Sequence, residues 1–279
     1  MIIEILKAAL FGLVEGITEW LPISSTGHMI LLEEFVSLNV SDEFWSMFLV
    51  VIQFGAILAV VLLYWNTIWP LGLQKHRKRT RIVWKKDTLN LWWKTIIACI
   101  PAAIVGLAFD DWLDEHFYNW LVVSIMLIVV GIAFLVIENV QKNREPVVTD
   151  LNDLTLRQAF IIGLFQLIAA VFPGTSRSGS TILGGLMIGV SRTVAAQFTF
   201  ILAIPVMAGA SLLKIIKFGF DFTMTEAVIL LVGMAVAFVV SVLIIRFLMD
   251  YIRKHDFKPF GIYRIILGAV VLLYFSLNG

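Results

Sequence analysis

Glu15 and Glu19 stand four residues apart in an apolar stretch, so a helix through them puts both carboxylates on one face. A like-charged pair at that spacing is mildly destabilising even in water, and at bilayer depth each ionised group costs about 2.5–3.5 kcal/mol. A divalent cation, Mg²⁺ or Ca²⁺, is the simplest compensation for hard carboxylate oxygens. Pro22 then interrupts the stretch and is followed by Ser24, Ser25, Thr26, Gly27 and His28. Hydroxyls and glycine at a helix start present donors to an anion, although hydroxyls alone serve as well for capping. His28 alone reads as a structural histidine; beside Ser25 and Thr26 it is a candidate proton carrier or nucleophile. A second interruption, Pro173 to Thr181, repeats the chemistry with Gly174, Thr175, Ser176 and Ser178 and adds Arg177, whose planar fork suits phosphate oxygens. Two carboxylates, a cation, a guanidinium and two helix N-termini balance a diphosphate, polarise its bridging P–O bond and stabilise the charge that develops as it breaks. The residues therefore point to a phosphorylated ligand with a lipid tail, recognised from within the membrane.

The elements that must position these groups are membrane helices. Sixty per cent of the 279 residues are apolar, 15% are charged, and the mean hydropathy is +0.94. Ordinary soluble domains carry about a quarter charged residues, so this chain reads as a single polytopic membrane domain over 1–279. A net charge of +1 excludes the uniformly basic face of a nucleic-acid binder, and the lone Cys99 excludes a disulfide framework. Glu4 stands where a cleavable signal would carry base, so the N-terminus is expected to be retained. Six apolar stretches, at about 44–65, 91–109, 119–138, 195–216, 227–249 and 260–277, are long enough to cross a bilayer. The interrupted regions 6–36 and 157–190 have arms too short to span, which predicts two re-entrant hairpins with polar tips.

Sliding the chain by 151 places Ala8 on Ala159, Gly12 on Gly163, Leu13 on Leu164, Pro22 on Pro173 and Ser25 on Ser176, with Glu15 on Gln166. Three spans follow each hairpin, so repeat 1 (about 1–150) and repeat 2 (about 151–279) are expected to insert with opposite orientation. Lys75, Arg77, Lys78, Arg79, Arg81, Lys85 and Lys86 crowd the 66–90 loop, and the 139–156 and 250–259 loops are also basic. The alternate loops carry Glu33, Glu34, Asp42 and Glu43, and then Asp110, Asp111, Asp114 and Glu115; Lys214 and Lys217 are a mild exception. The positive-inside rule then makes the basic loops cytoplasmic and both termini external. Trp65, Trp69, Trp92, Trp93, Trp112 and Trp120 fall near span ends, as an interfacial belt requires. Gln53 and Arg192 lie on spans able to border the site.

EGITEWLPISSTGH at 15–28 and PGTSRSGSTI at 173–182 resemble the two signature motifs of the bacterial undecaprenyl-pyrophosphate phosphatase family, the bacitracin-resistance (BacA/UppP) type. The similarity extends to VIQFGAILAVV at 51–61 and GVSR at 189–192. The resemblance implies hydrolysis of undecaprenyl diphosphate to the monophosphate and inorganic phosphate, recycling the lipid carrier for cell-wall synthesis. It also implies dependence on a divalent cation and a site opening to the external face of the bacterial inner membrane. Glu15 and Glu19 match the family's acidic pair, Ser25, Thr26 and His28 its serine-threonine-histidine segment, and Ser176 and Arg177 its phosphate-binding motif. Attack on phosphorus by Ser25, by His28 or by a water activated by His28 stays open.

The implied partners are a polyprenyl diphosphate and the bilayer, with room for a homodimer and no nucleic acid. A transporter or flippase of a phosphorylated polyprenyl lipid is the rival reading, since inverted repeats with broken helices suit transport. A non-catalytic lipid-binding scaffold is a weaker third. Transport needs no nucleophile and gains little from two carboxylates, and a scaffold has no use for His28.

Overall fold

The computed structural model describes every residue except 77, 78, 220 and 279, and the side chains of 74–81, 110, 111 and 114 also lie outside the description. Arg77 and Lys78 of the basic loop are thus outside the described residues, as are the side chains of Lys75, Arg79, Arg81, Asp110, Asp111 and Asp114.

Each long apolar stretch becomes a helix, and four of them start at a residue whose side chain accepts from a free amide. α3 (Asp42–Leu63) begins where Ser41 accepts from the Phe44 N–H, and α6 (Trp120–Gln141) where Asn119 accepts from Val122. α9 (Arg192–Phe218) is capped by Ser191, and α10 (Met224–Ile252) by a reciprocal Thr223–Glu226 box. With α5 (Lys86–Phe117) and α11 (Lys258–Asn278), these six are long and apolar enough to cross a membrane. The chain is thus an α-helical protein with six candidate spans. A single turn, α4 (Trp65–Ile68), follows α3. The basic 66–90 segment, expected as a loop, contains an antiparallel hairpin, β1 (Leu71–His76) with β2 (Arg79–Trp84), registered Leu71↔Trp84 to His76↔Arg79.

The interrupted regions are four shorter helices. α1 (Ile2–Thr18) stops ahead of Pro22 and α2 (Ser25–Phe35) resumes after it; α7 (Leu156–Val171) stops ahead of Pro173 and α8 (Arg177–Met187) resumes. α2 and α8 have 11 residues each, about 16 Å of helix at 1.5 Å per residue.

The two halves exchange partners. α1 packs on α10 and α7 on α5, while α6 and α11 lie against each other and α3 meets α9. The exchanged contacts are made by small residues that bring backbones together. A Cβ on Gly12 would run into the Gly233 backbone, and one on Gly163 into Ala98. The largest buried cluster joins Trp20, Leu21 and Ile23 of the first break to Ile182, Leu183 and Leu186 of α8, with Phe200, Phe134 and Phe257 around them. Both interruptions are thereby sunk in the middle of the packing.

Candidate active site

The breaks share a local backbone form. Ser24 (φ 72°) and Ser176 (φ 69°) are the non-glycine residues with positive φ among the described residues, and each precedes one short helix. Each caps its helix by accepting from the amide three residues on, Gly27 for Ser24 and Gly179 for Ser176. The backbone equivalent of Ser176 is therefore Ser24. The 151-residue offset that places Ser25 there fails by one, because Pro173 is followed by the extra turn residue Gly174, at φ 86°. Serine in this region costs about 1–3 kcal/mol and persists only where the surroundings over-determine it, which marks functional sites.

Glu19 is the junction. Arg177 Nη2 donates to Glu19 Oε1 at 2.9 Å, and Ser25 Oγ donates to Oε2 of the same carboxylate at 3.1 Å. Arg177 Nη1 donates to the Thr199 carbonyl at 3.0 Å, and its guanidinium carbon lies 5.9 Å from the centre of the Trp20 ring. Ser178 Oγ donates to the Glu19 main-chain carbonyl at 3.0 Å, a second tie between the breaks. Glu15, one turn earlier on α1, is buried within electrostatic reach of Glu19 and Arg177, and its Oε1 has no hydrogen-bond partner among the described residues. Ser25, Thr26, His28, Ser176 and Arg177 are half-buried and form the accessible edge, whereas Ser24, Gly174, Thr175 and Ser178 are buried. Thr175 Oγ1 and Arg177 Nε are buried without partners among the described residues.

His28 Nδ1 lies 2.7 Å from the Ser24 carbonyl, which only accepts, so Nδ1 carries the proton. Nε2 of the neutral ring then accepts from the Tyr263 hydroxyl, 2.7 Å away, and the two rings stack with centres 5.6 Å apart at 7°. Tyr263 belongs to α11, as does Arg264, which is fully buried beneath both breaks. Neither was singled out from sequence. A lone arginine inside an apolar span was the available signal for Arg264; Tyr263, an aromatic among aromatics, carried none. Thr199 was missed because it acts through its main chain.

Gln53 is half-buried on α3 and makes no hydrogen bond to either break among the described residues. Arg192 is engaged elsewhere: its guanidinium pairs bidentately with the buried Glu138, whose Oε1 also accepts from the Phe257 N–H.

Residues 8–270 match the family described as bacitracin resistance protein BacA. This chain belongs to the BacA family. It is 61% identical over 275 residues to the undecaprenyl-diphosphatase of Desulfitobacterium hafniense, covering 99% of this chain and 97% of that protein. It is 62% identical over 273 residues to undecaprenyl-diphosphatase 1 of Clostridium acetobutylicum, covering 98% of each. An Enterococcus faecalis undecaprenyl-diphosphatase is 56% identical over 271 residues, 97% of each chain. Both breaks, and the Tyr263–Arg264 pair of α11, lie inside the matched BacA region.

Proposed function

We infer that this chain hydrolyses undecaprenyl diphosphate to undecaprenyl phosphate and inorganic phosphate, returning the carrier to cell-wall synthesis and conferring bacitracin resistance. The observation that carries the reading is Glu19 bridging the Ser25 hydroxyl and the Arg177 guanidinium across the two breaks. A nucleophile, a base and a phosphate clamp meet at one carboxylate, an arrangement with no purpose in a transporter.

Ser25 is the nucleophile. Its hydroxyl already donates to Glu19, whereas His28 Nε2 is occupied by Tyr263. Ser25 Oγ attacks the terminal phosphorus as its proton passes to Glu19, an O–P bond forms, and the bridging P–O bond breaks to release undecaprenyl phosphate. Water then hydrolyses the phosphoserine and frees inorganic phosphate. Arg177 exchanges Glu19 for the phosphoryl oxygens, a bidentate match for its fork. Ser24, Gly174, Thr175, Ser176 and Ser178 form the donor-bearing turns around the headgroup, and Thr26 and His28 border it from α2. Gln53 is proposed only as a flank of the headgroup approach.

The acidic pair fits a divalent cation, Mg²⁺ or Ca²⁺. Among the described residues no three His, Cys, Asp or Glu side chains gather as a protein cage. Mg²⁺ is commonly held by one or two carboxylates together with substrate phosphates, and the unpartnered Glu15 Oε1 beside Glu19 supplies that donor set. When bound, the cation would neutralise phosphoryl charge and polarise the P–O bond.

Two re-entrant hairpins in an inverted repeat complete the reading. It is supported by the paired strained serines, the short α2 and α8, and the exchange of α10 and α5 between halves. The protein is a multi-pass enzyme of the bacterial inner membrane with its basic loops cytoplasmic and its termini and site external. Purified protein given polyprenyl diphosphate should release phosphate, and a chelator should stop it. No release with Mg²⁺ or Ca²⁺ present refutes the phosphatase reading and favours lipid transport; release that a chelator leaves untouched refutes the cation alone.

A further inference from the structure

Arg264 is a completely buried guanidinium with no carboxylate against it among the described residues, and the chemistry above makes no use of it. A cation so poorly compensated is costly in a membrane core. Its two terminal nitrogens donate to main-chain carbonyls, while Nε is buried with no partner among the described residues. Nη2 reaches Gly174 O at 2.8 Å and Thr175 O at 2.9 Å, with a longer contact to Met126 O at 3.4 Å. Nη1 reaches Pro22 O at 3.2 Å. Three of these four acceptors belong to the two breaks.

The peptide joining Thr175 to Ser176 shows what the contact does. The torsion φ at Ser176 relates its own substituents to the peptide plane before it, so holding the Thr175 carbonyl fixes one side of a strained torsion. In a trans peptide the N–H points away from the C=O. With the carbonyl on Arg264, the Ser176 N–H faces the opposite side, followed by the N–H groups of Arg177 and Ser178 in the first turn of α8, which have no acceptor among the described residues. Consecutive free amides at a helix start are donors for a phosphoryl oxygen.

We propose that Arg264 is the positioning residue of this site. It grips the carbonyl side of the second break, tethers the first through Pro22, and so keeps Ser176 in its strained turn with the amides turned to phosphate. The proposal rests on the phosphatase reading.

The test is a cycle on the purified full-length protein in detergent: Arg264→Lys, Arg264→Gln, Ser176→Gly and the two double variants, each assayed for phosphate release from polyprenyl diphosphate. Each Arg264 variant should remain monodisperse and lose about 100-fold in kcat, the scale of a 1 Å misplacement. Glycine adopts positive φ without strain, so on the Ser176→Gly background the same change should cost less than about 10-fold. Strictly additive losses would make Arg264 a general prop and overturn the proposal. So would kcat near the parent's in either single variant, or failure of both to fold while Ser176→Gly folds. A parent protein that releases no phosphate refutes the phosphatase reading instead, and this proposal with it.

Discussion

Glu19 does three jobs with one residue: its carboxylate holds Arg177 and Ser25, and its main-chain carbonyl holds Ser178. On the proposed chemistry, Glu19→Gln keeps the shape but loses the base and the charge that holds Arg177. Phosphate release should fall by about 10²–10⁴-fold, the usual worth of general-base catalysis. Arg177→Ala should abolish turnover and leave the fold largely intact, because its other protein contacts are one carbonyl and the face of Trp20; near-normal turnover would end the clamp assignment. Tyr263→Phe keeps the stack on His28 and removes only the hydroxyl. A loss of about 3–10-fold in kcat with unchanged chelator sensitivity is expected from one neutral hydrogen bond. The acidic pair, Arg177 and most hydroxyls of the breaks stand out by residue type and by the cost of polarity in an apolar run, whereas Ser180 and Thr181, whose hydroxyls turn back onto main-chain carbonyls of α8, do not. The division of labour was not legible, since pairing Ser25 with Glu19 and His28 with Tyr263 takes directions in space.

At the scale of elements, the breaks are held by helices from the other half of the chain. α1 meets α10 backbone to backbone at Gly12 and Gly233, and α7 meets α5 at Gly163 and Ala98. Gly12→Val or Gly163→Val would force those backbones apart. Overpacking costs about 1–3 kcal/mol, so each should lower the melting temperature in detergent and weaken the Glu19–Arg177 meeting downstream. Glu138 joins α6, the start of α9 and the approach to α11 through Arg192 and the Phe257 N–H. Glu138→Gln should destabilise by about 1–3 kcal/mol while kcat holds, because neither Glu138 nor Arg192 hydrogen-bonds to a break among the described residues; a large drop in kcat at unchanged stability would contradict that. Apolar length located five of the six long helices to within three residues at each end; α5 starts five residues before the expected span at 91–109 and runs eight past it, so the acidic segment from Asp110 to Glu115, expected as a loop, is the last part of that helix. The β1–β2 hairpin was not expected, because its strands lack a clear apolar–polar alternation and its basic residues read as an orientation signal.

For the whole molecule, the distribution of Lys and Arg predicts sidedness. With Cys99→Ala as background, a cysteine at Glu34 should react with a membrane-impermeant maleimide on intact cells, and one at Lys254 only after permeabilisation. The opposite pattern would invert the topology and put the site on the cytoplasmic face. The interdigitation of the halves gives the breaks their common burial: neither half alone encloses its own tip, because α10 covers α1 and α5 covers α7. A chain cut between α6 and α7 should therefore be inactive unless both pieces are expressed together.

What amino-acid order decided by itself is local and chemical. Apolar length dictates spans, proline and hydroxyls dictate breaks, and the price of charge in a bilayer singles out Glu15, Glu19 and Arg177. Tertiary structure alone decided which groups touch. Arg264 lies 242 residues from Pro22 and 90 from Gly174, and its role consists of donating to carbonyls that every residue possesses. Main-chain acceptors leave no mark on composition or spacing, so only folding reveals the guanidinium that binds both breaks together.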